Sequence, residues 1–211
     1  MKTREVILVT GKTGSGKSTL FREMILKEKR FIILDTLSEY KELSPSFPAL
    51  FVNDLETLYD CLADYHNSPF WIVFDPEDPE AVLRLGNGQE ISVFEEACRL
   101  VYTHLEKVTL GVEEIASLVS PGFAPEYLRK IIRFGRHSSI SLFATTQRPP
   151  EIPPVIRSQL TKLISFAQHE PNDLKYIAQA AGPDFADRLK NLRSYRYLIH
   201  DFRNGKNYEK I

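Results

Sequence analysis

The sequence predicts an α/β protein, with a mostly parallel central sheet flanked by helices and a C-terminal β-hairpin. Three observations point there. Short apolar runs alternate with longer amphipathic stretches, the pattern of strands feeding covering helices. Near the start, Val6 to Thr10 runs straight into Gly11, Gly14, Gly16, Lys17 and Ser18, a G-x-x-x-x-G-K-[ST] pattern set between a strand and a helix. At the end, runs at residues 195–201 and 206–210 meet around Asn204-Gly205, which is hairpin-turn chemistry.

The elements follow in order. Strands are expected at residues 5–10, 31–35, 49–52, 70–75, 107–112, 140–145 and 162–167. Helices are expected at 18–29, 54–65, 79–85, 92–106, 125–134 and 172–181. Asn53 or Asp54 can cap the second helix, and Gly182 followed by Pro183 suits the stop of the last. Pro149, Pro150, Pro153 and Pro154 read as a stiff loop after a strand, not as a boundary. No internal repeat, linker or low-complexity tract divides the chain, so residues 1–211 read as one domain.

Composition sets bounds on function. The chain is 43% hydrophobic and 26% charged with a net charge of −1, which fits a globular, soluble protein and excludes a disordered one. Near-neutrality argues against a surface that coats nucleic acid throughout, yet the charge is uneven. Acids dominate from Asp75 to Glu96, where Arg84 is the one cation. From Tyr127 to Leu163 the balance reverses, with seven Lys and Arg against Glu151. Two solvated faces account for this without any function. Cys61 and Cys98 are far apart in helix-like segments and read as reduced core thiols. No Cys/His cluster has metal-ligand spacing, and no apolar run reaches membrane-span length.

The glycine-rich motif dictates a chemistry. Glycines let the backbone fold tightly, so that successive N–H groups of Gly11, Lys12, Thr13, Gly14, Ser15, Gly16, Lys17, Ser18 and Thr19 surround anionic oxygens at a helix N-terminus. Lys17 would reach the β- and γ-phosphates of ATP, and the Ser18 hydroxyl would hold Mg²⁺. A carboxylate partner comes from Lys107-Val-Thr-Leu-Gly-Val-Glu113-Glu114, an apolar strand ending in two acids. Glu113 would bind Mg²⁺ through water and Glu114 would act as general base, on opposite faces because strand side chains alternate. The magnesium position is usually Asp, so Glu113, one methylene longer, leaves the division of roles open. Next, the strand ending Thr145-Thr146-Gln147-Arg148-Pro149 delivers Gln147, an amide able to donate to the γ-phosphate and accept from the attacking water.

These three blocks in series resemble the HerA/FtsK superfamily of DNA-pumping ATPases. The stretch FGRHSSISLFATTQRPPEIPPVIRSQLTKLISFAQHEPNDLKYI, residues 134–177, is similar to that family in its arginine-bearing helix end, strand, Thr-Gln-Arg-Pro turn, proline-rich loop and Ser-Gln dipeptide. DTLSEY, Asp35 to Tyr40, is similar to the family's Asp…Glu-Tyr segment. The resemblance implies a P-loop (Walker A) NTPase of the additional-strand catalytic-glutamate type. It further implies Gln147 as sensor and an arginine that completes the neighbour's site. Arg136 is the first choice for that arginine, with Arg133, Arg148 and Arg157 in reserve. The minimal size is similar to the genome-packaging ATPases of tailless, membrane-containing double-stranded DNA viruses. That reading implies double-stranded DNA, a homo-oligomeric ring of five or six copies, and a capsid or membrane protein at the packaging vertex as partners. It also implies the host cytoplasm or the virion as location. A cellular HerA-like or phage-assembly ATPase is the alternative within the class. A small-molecule kinase would show an Arg-rich lid in place of the Glu-Glu strand and Gln sensor, and a regulatory nucleotide switch would need no well-placed base.

Overall fold

The computed structural model describes residues 3–41, 47–65, 68–78, 81–85 and 88–210. Its centre is a nine-stranded sheet. The strands are β1 (Val6–Thr10), β2 (Arg30–Leu34), β3 (Leu50–Val52), β4 (Phe70–Phe74), β7 (Thr109–Val112), β8 (Ser141–Thr146), β9 (Lys162–Phe166), β10 (Tyr197–Asp201) and β11 (Lys206–Lys210). Their spatial order is β11-β10-β9-β1-β8-β7-β2-β4-β3. From β9 to β3 every pairing is parallel; β10 joins β9 antiparallel and folds back on β11, so the expected C-terminal hairpin is present.

The core strands are buried on both faces, which is why they read as unbroken apolar runs. All five residues of β1 are buried. Val6 and Leu8 join one hydrophobic cluster with α2 (Leu55–Asp64), α3 (Val93–His104), α4 (Glu126–Phe134), α6 (Pro171–Ala181) and α7 (Pro183–Lys190). Ile7 and Val9 face the other cluster, built on Leu20, Phe21 and Ile25 of α1 (Lys17–Ile25). Asp54 caps α2 by accepting from the Thr57 backbone N–H at 2.8 Å, as its position in the sequence suggests. Cys98 is buried and Cys61 half-buried, both as free thiols.

Four local expectations need correction. The helix expected at 79–85 is absent from its described part: Val82–Arg84 forms β5, paired with β6 (Glu90–Ser92) in a small antiparallel hairpin. Pro79 and Glu80 lie outside the described residues. So short a helix has little to stabilise it, whereas the hairpin sets Leu83 opposite buried Ile91 and turns near Gly88 in the left-handed region (φ 82°). The proline-rich loop holds a 3₁₀ turn at Pro149–Glu151 and the short α5 (Pro154–Arg157), because proline suits the first helical positions. Gly182 does end α6, but Pro183 then opens α7 instead of leaving helical structure. Finally, β7 stops at Val112, so strand alternation does not reach Glu113 and Glu114.

The topology fixes where a site can form. β8 lies between β1 and β7, so three consecutive strand ends bring the glycine-rich loop, Glu113-Glu114 and Gln147 to one edge. Such an edge, outside the carboxyl ends of parallel strands, is where α/β sheets bind ligands.

Candidate active site

The loop between β1 and α1 folds around its glycines. Gly14 (φ 74°) and Gly16 (φ 102°) sit in left-handed backbone that side chains disfavour, and Gly16 is the N-cap of α1. The Ser15 N–H donates to the Lys12 carbonyl at 3.2 Å, closing the turn. Ser15 Oγ is buried and has no hydrogen-bond partner among the described residues, a group shaped for an absent acceptor or donor. Lys17 is 8% exposed, and among the described residues its Nζ hydrogen-bonds the Lys12 carbonyl alone, at 3.5 Å. Burial pulls its pKa down, while the carboxylates of Glu114, Glu113 and Glu39 pull it up. A cation so placed, beside N–H groups at a helix start, suits a polyphosphate.

Glu113 is 2% exposed and lies against α1. Tyr40 Oη donates to its Oε1 at 2.5 Å, Ser18 bonds it through its hydroxyl, and Arg22 Nε stands 4.0 Å away. Burial raises the Glu113 pKa; the Tyr40 and Ser18 hydroxyls and the Arg22 charge oppose this, while Glu39 adds to it. A carboxylate beside a serine hydroxyl at a phosphate loop is a hard-oxygen pair that fits Mg²⁺.

Glu114 turns the other way. Its backbone is left-handed (φ 47°, ψ 58°) at the cap of the 3₁₀ turn Ile115–Ser117, and this, in place of strand alternation, separates the two carboxylates. Its N–H donates to Thr145 Oγ1 at 2.9 Å; its Oε1 accepts from the Gln147 N–H at 3.1 Å and Thr146 Oγ1 at 3.2 Å. The Gln147 side chain reaches the phosphate loop, accepting from Thr13 Oγ1 at 2.8 Å. Thr13, Gln147 and Glu114 therefore form one connected chain across β1, β8 and β7.

The arginines divide. Arg136 does not join its own site: it follows α4 and precedes the start of β8, whereas Gln147 follows the end. Six strand residues at ~3.3 Å each put it about 20 Å away, at the opposite edge of the sheet. There it lies near Arg4, whose pKa is lowered by burial first and by the Arg136 charge second. Arg148 pairs with buried Asp173 at 3.5 Å, and the Arg157 guanidinium lies 5.1 Å from the centre of the Tyr176 ring. Arg133 is exposed in the last turn of α4.

Two contributors went unread in the sequence. Arg22 stands one helical turn after Ser18 and reaches Glu113, Glu39 (3.6 Å) and the face of Tyr40 (5.3 Å). Tyr40 is delivered by Asp35, whose carboxylate accepts from the Glu39 and Tyr40 N–H groups at 3.1 and 2.8 Å. The sequence signals for them are the i, i+4 spacing of Ser18 and Arg22 and the Asp…Glu-Tyr segment.

No family model matches the sequence. A probable helicase of Methanocaldococcus jannaschii is 29% identical over 126 residues, 55% of this chain but 24% of the helicase, so the chain matches about a quarter of that relative. In structure, 100% of the chain superposes on 99% of the genome packaging NTPase B204 from Sulfolobus turreted icosahedral virus 2 in complex with AMPPCP, with a TM-score of 0.74 and 21% identity. VirB4 of Thermoanaerobacter pseudethanolicus aligns over 96% of this chain and 87% of its own, with a TM-score of 0.61 and 17% identity. At these identities the likeness is one of fold. The chain has the α/β fold of a P-loop ATPase such as B204, in keeping with its HerA/FtsK-like motifs.

Proposed function

We propose that this chain is an ATP-hydrolysing motor domain that moves double-stranded DNA and packages a viral genome into a preformed capsid. The observation that carries this reading is the Thr13–Gln147–Glu114 hydrogen-bonded chain, which ties the phosphate loop to two neighbouring strand ends. A phosphate site alone serves kinases and switches as well; a carboxylate and an amide linked to it serve water attack. The packaging role rests on the fold shared with B204 along the whole chain.

The roles follow from the chemistry of each group. N–H groups of the loop from Gly11 to Thr19 cradle the phosphates, and Lys17 offsets charge at the β- and γ-oxygens. Ser18 and Glu113 are the groups that would hold Mg²⁺, which supplies further charge neutralisation at the γ-phosphate when bound. Glu114 accepts a proton from water, and Gln147 orients that water and senses the γ-phosphate. Ring assembly of five or six copies brings Arg136 of one copy to the phosphates of the next. The remaining partners are double-stranded DNA and a capsid or membrane protein at the packaging vertex, and the place of action is the host cytoplasm or the virion. Among the described residues no helix is long and apolar enough to cross a membrane. The similarity to a probable helicase favours a second reading, a cellular DNA-processing relative, which strand-separation assays distinguish from packaging.

The test uses two variants. Lys17→Ala should lose both nucleotide binding and turnover, because it removes the main cation opposite the phosphates. Glu114→Gln should keep ATP affinity and lose hydrolysis by about 10²-fold or more, the scale of general-base loss. Wild-type protein should also hydrolyse ATP faster with double-stranded DNA present. Wild-type turnover in Glu114→Gln, with loss in Glu113→Gln, would reverse the two carboxylate roles; a response to a small metabolite in place of DNA would favour a kinase.

A further inference from the structure

Asp173 lies in the first turn of α6 and is 2% exposed, a buried acid that the three motifs leave unaddressed. Its Oδ1 takes no hydrogen bond from the described residues, so this oxygen does not serve the free N–H groups at the start of α6. Beside it stands the Nε of Arg148, at 3.5 Å. We infer that Asp173 is a positioning residue for hydrolysis: through Arg148 it holds the turn that carries Gln147, and so sets the Gln147 amide at the γ-phosphate. The inference rests on the role proposed above for Gln147 and names what keeps that side chain in place.

The turn is the first argument. β8 ends at Thr146, and Arg148 directly follows Gln147. The backbone is tied on the Glu114 side. The Gln147 N–H donates to Glu114 Oε1, and the Arg148 N–H donates to Thr146 Oγ1 at 3.1 Å, which itself donates to the same Oε1. Beyond Arg148 come Pro149 and Pro150, which have no N–H to hold the turn further. The 3₁₀ turn that they open packs on α6, and the Arg148 side chain adds a charged tie to the same helix. Gln147 is thereby held between two fixed points, Glu114 after β7 and Asp173 on α6, while its own side chain meets Thr13.

Cost is the second argument. An acid in the first turn of a helix gains from the helix dipole, and that gain is available at the surface as well. Burial adds a cost that an apolar side chain of similar size would avoid. It pushes the Asp173 carboxyl pKa up, and the Arg148 charge pulls it back. α6 is anchored in the core by Tyr176 and Ile177, so Asp173 offers Arg148 a partner that does not move. A half-exposed arginine with many rotamers is thus held to one, directly after the residue whose amide must be placed. An ångström of misplacement at such a group costs up to ~10²-fold in rate.

Steady-state ATPase with double-stranded DNA, and calorimetric titration with a non-hydrolysable ATP analogue, test this on the full chain in two backgrounds. Asp173→Asn keeps the shape and removes the charge. It should lower kcat about tenfold, since the bonds to Glu114 still hold part of the turn, and change nucleotide affinity less than about twofold. Arg148→Gln, at a half-exposed site that a fold tolerates, should do the same. In a Gln147→Ala background, itself slow, neither substitution should lower kcat further, because the amide being positioned is gone. An equal fractional loss in both backgrounds, or a matching loss of nucleotide affinity, would overturn the positioning role and make the pair a structural support. Wild-type kcat in Asp173→Asn would overturn it too, and each of these leaves the role of Gln147 standing. Wild-type kcat in Gln147→Ala alone would overturn that role and the inference with it.

Discussion

At the scale of single residues, the two carboxylates differ more in surroundings than in chemistry. Glu114 holds a left-handed backbone that costs a non-glycine residue roughly 1–3 kcal/mol and is offset by bonds from Thr145, Thr146 and Gln147. Glu113 is held in the opposite direction, in a nest of Tyr40, Ser18 and Arg22. Because burial raises its pKa, the groups that keep it charged matter most. Tyr40 is itself buried, and removing its hydroxyl leaves part of a buried carboxylate unpaired. Tyr40→Phe should therefore cost about 1–3 kcal/mol of stability in the nucleotide-free protein, the range for losing a hydrogen bond to a buried polar or charged group. It should also raise the Mg²⁺ concentration needed for half-maximal nucleotide binding, since Glu113 loses the bond that orients it. Thermal denaturation and a Mg²⁺ titration of fluorescent-nucleotide binding check the two effects. An unchanged Mg²⁺ requirement would make Tyr40 a packing residue only.

At the scale of elements, the apolar strands of the sheet were legible in the sequence, and some elements opened by proline or left mostly exposed were not. Seven core strands were found to within two residues at either end, because strands buried on both faces leave runs such as Phe31 to Leu34 that only a sheet interior explains. α5, α7 and the β5–β6 hairpin were missed, because α5 and α7 each open on a proline that reads as a break, and β5 and β6 bury one side chain between them, Ile91. The site divides in the same way. Lys17, Ser18, Glu113, Glu114 and Gln147 stand in contiguous motifs, whereas the Tyr40–Glu113 bond joins residues 73 apart in sequence and needs the fold to exist first. One packing feature holds the site's elements in place. Gly111 of β7 lies under α1, where a Cβ would meet Ile25 Cδ1 at 2.5 Å and Phe21 Cζ at 2.8 Å. Both side chains are fully buried and have little room to swing aside. Gly111→Ala should destabilise the protein by about 1–3 kcal/mol through overpacking. As α1 carries Lys17 and Ser18 at its start, ATP affinity should fall as well. Urea unfolding should show a lower midpoint at unchanged slope; a wild-type midpoint would mean that α1 shifts freely over β7.

At the scale of the whole molecule, the two edges of the sheet differ in charge. The nucleotide edge carries Asp35, Glu39, Asp75, Glu113 and Glu114 against Lys12, Lys17, Arg22 and Arg148. The opposite edge has a groove lined by Arg4, Lys27, Lys29, Arg30 and Lys107, with Glu28 as its acid, and Arg136 acts on Arg4 from beside it. Helix C-termini meet that edge, so part of the excess complements helix dipoles, worth a few tenths of a kcal/mol per charge. A cationic edge that meets the carboxylates of a neighbour's nucleotide edge favours head-to-tail contacts, which close into rings when the rotation permits. In such a contact Arg136, useless to its own phosphate loop about 20 Å away across six strand residues, would approach that of its neighbour. An arginine supplied in trans is worth roughly 10³ to 10⁵ in kcat in other phosphoryl-transfer systems. Arg136→Ala subunits should therefore be nearly inactive alone and still bind ATP, because their own loop is intact. Blended with Lys17→Ala subunits, which keep the arginine and lack the phosphate cation, they should regain part of the turnover, since some interfaces then pair an intact loop with an intact arginine. Steady-state ATPase measured across mixing ratios reads this directly, with a maximum at intermediate composition. Full activity of pure Arg136→Ala, or no recovery at any ratio, would remove Arg136 from the role and turn attention to Arg133, which among the described residues lacks the internal pairings that occupy Arg148 and Arg157.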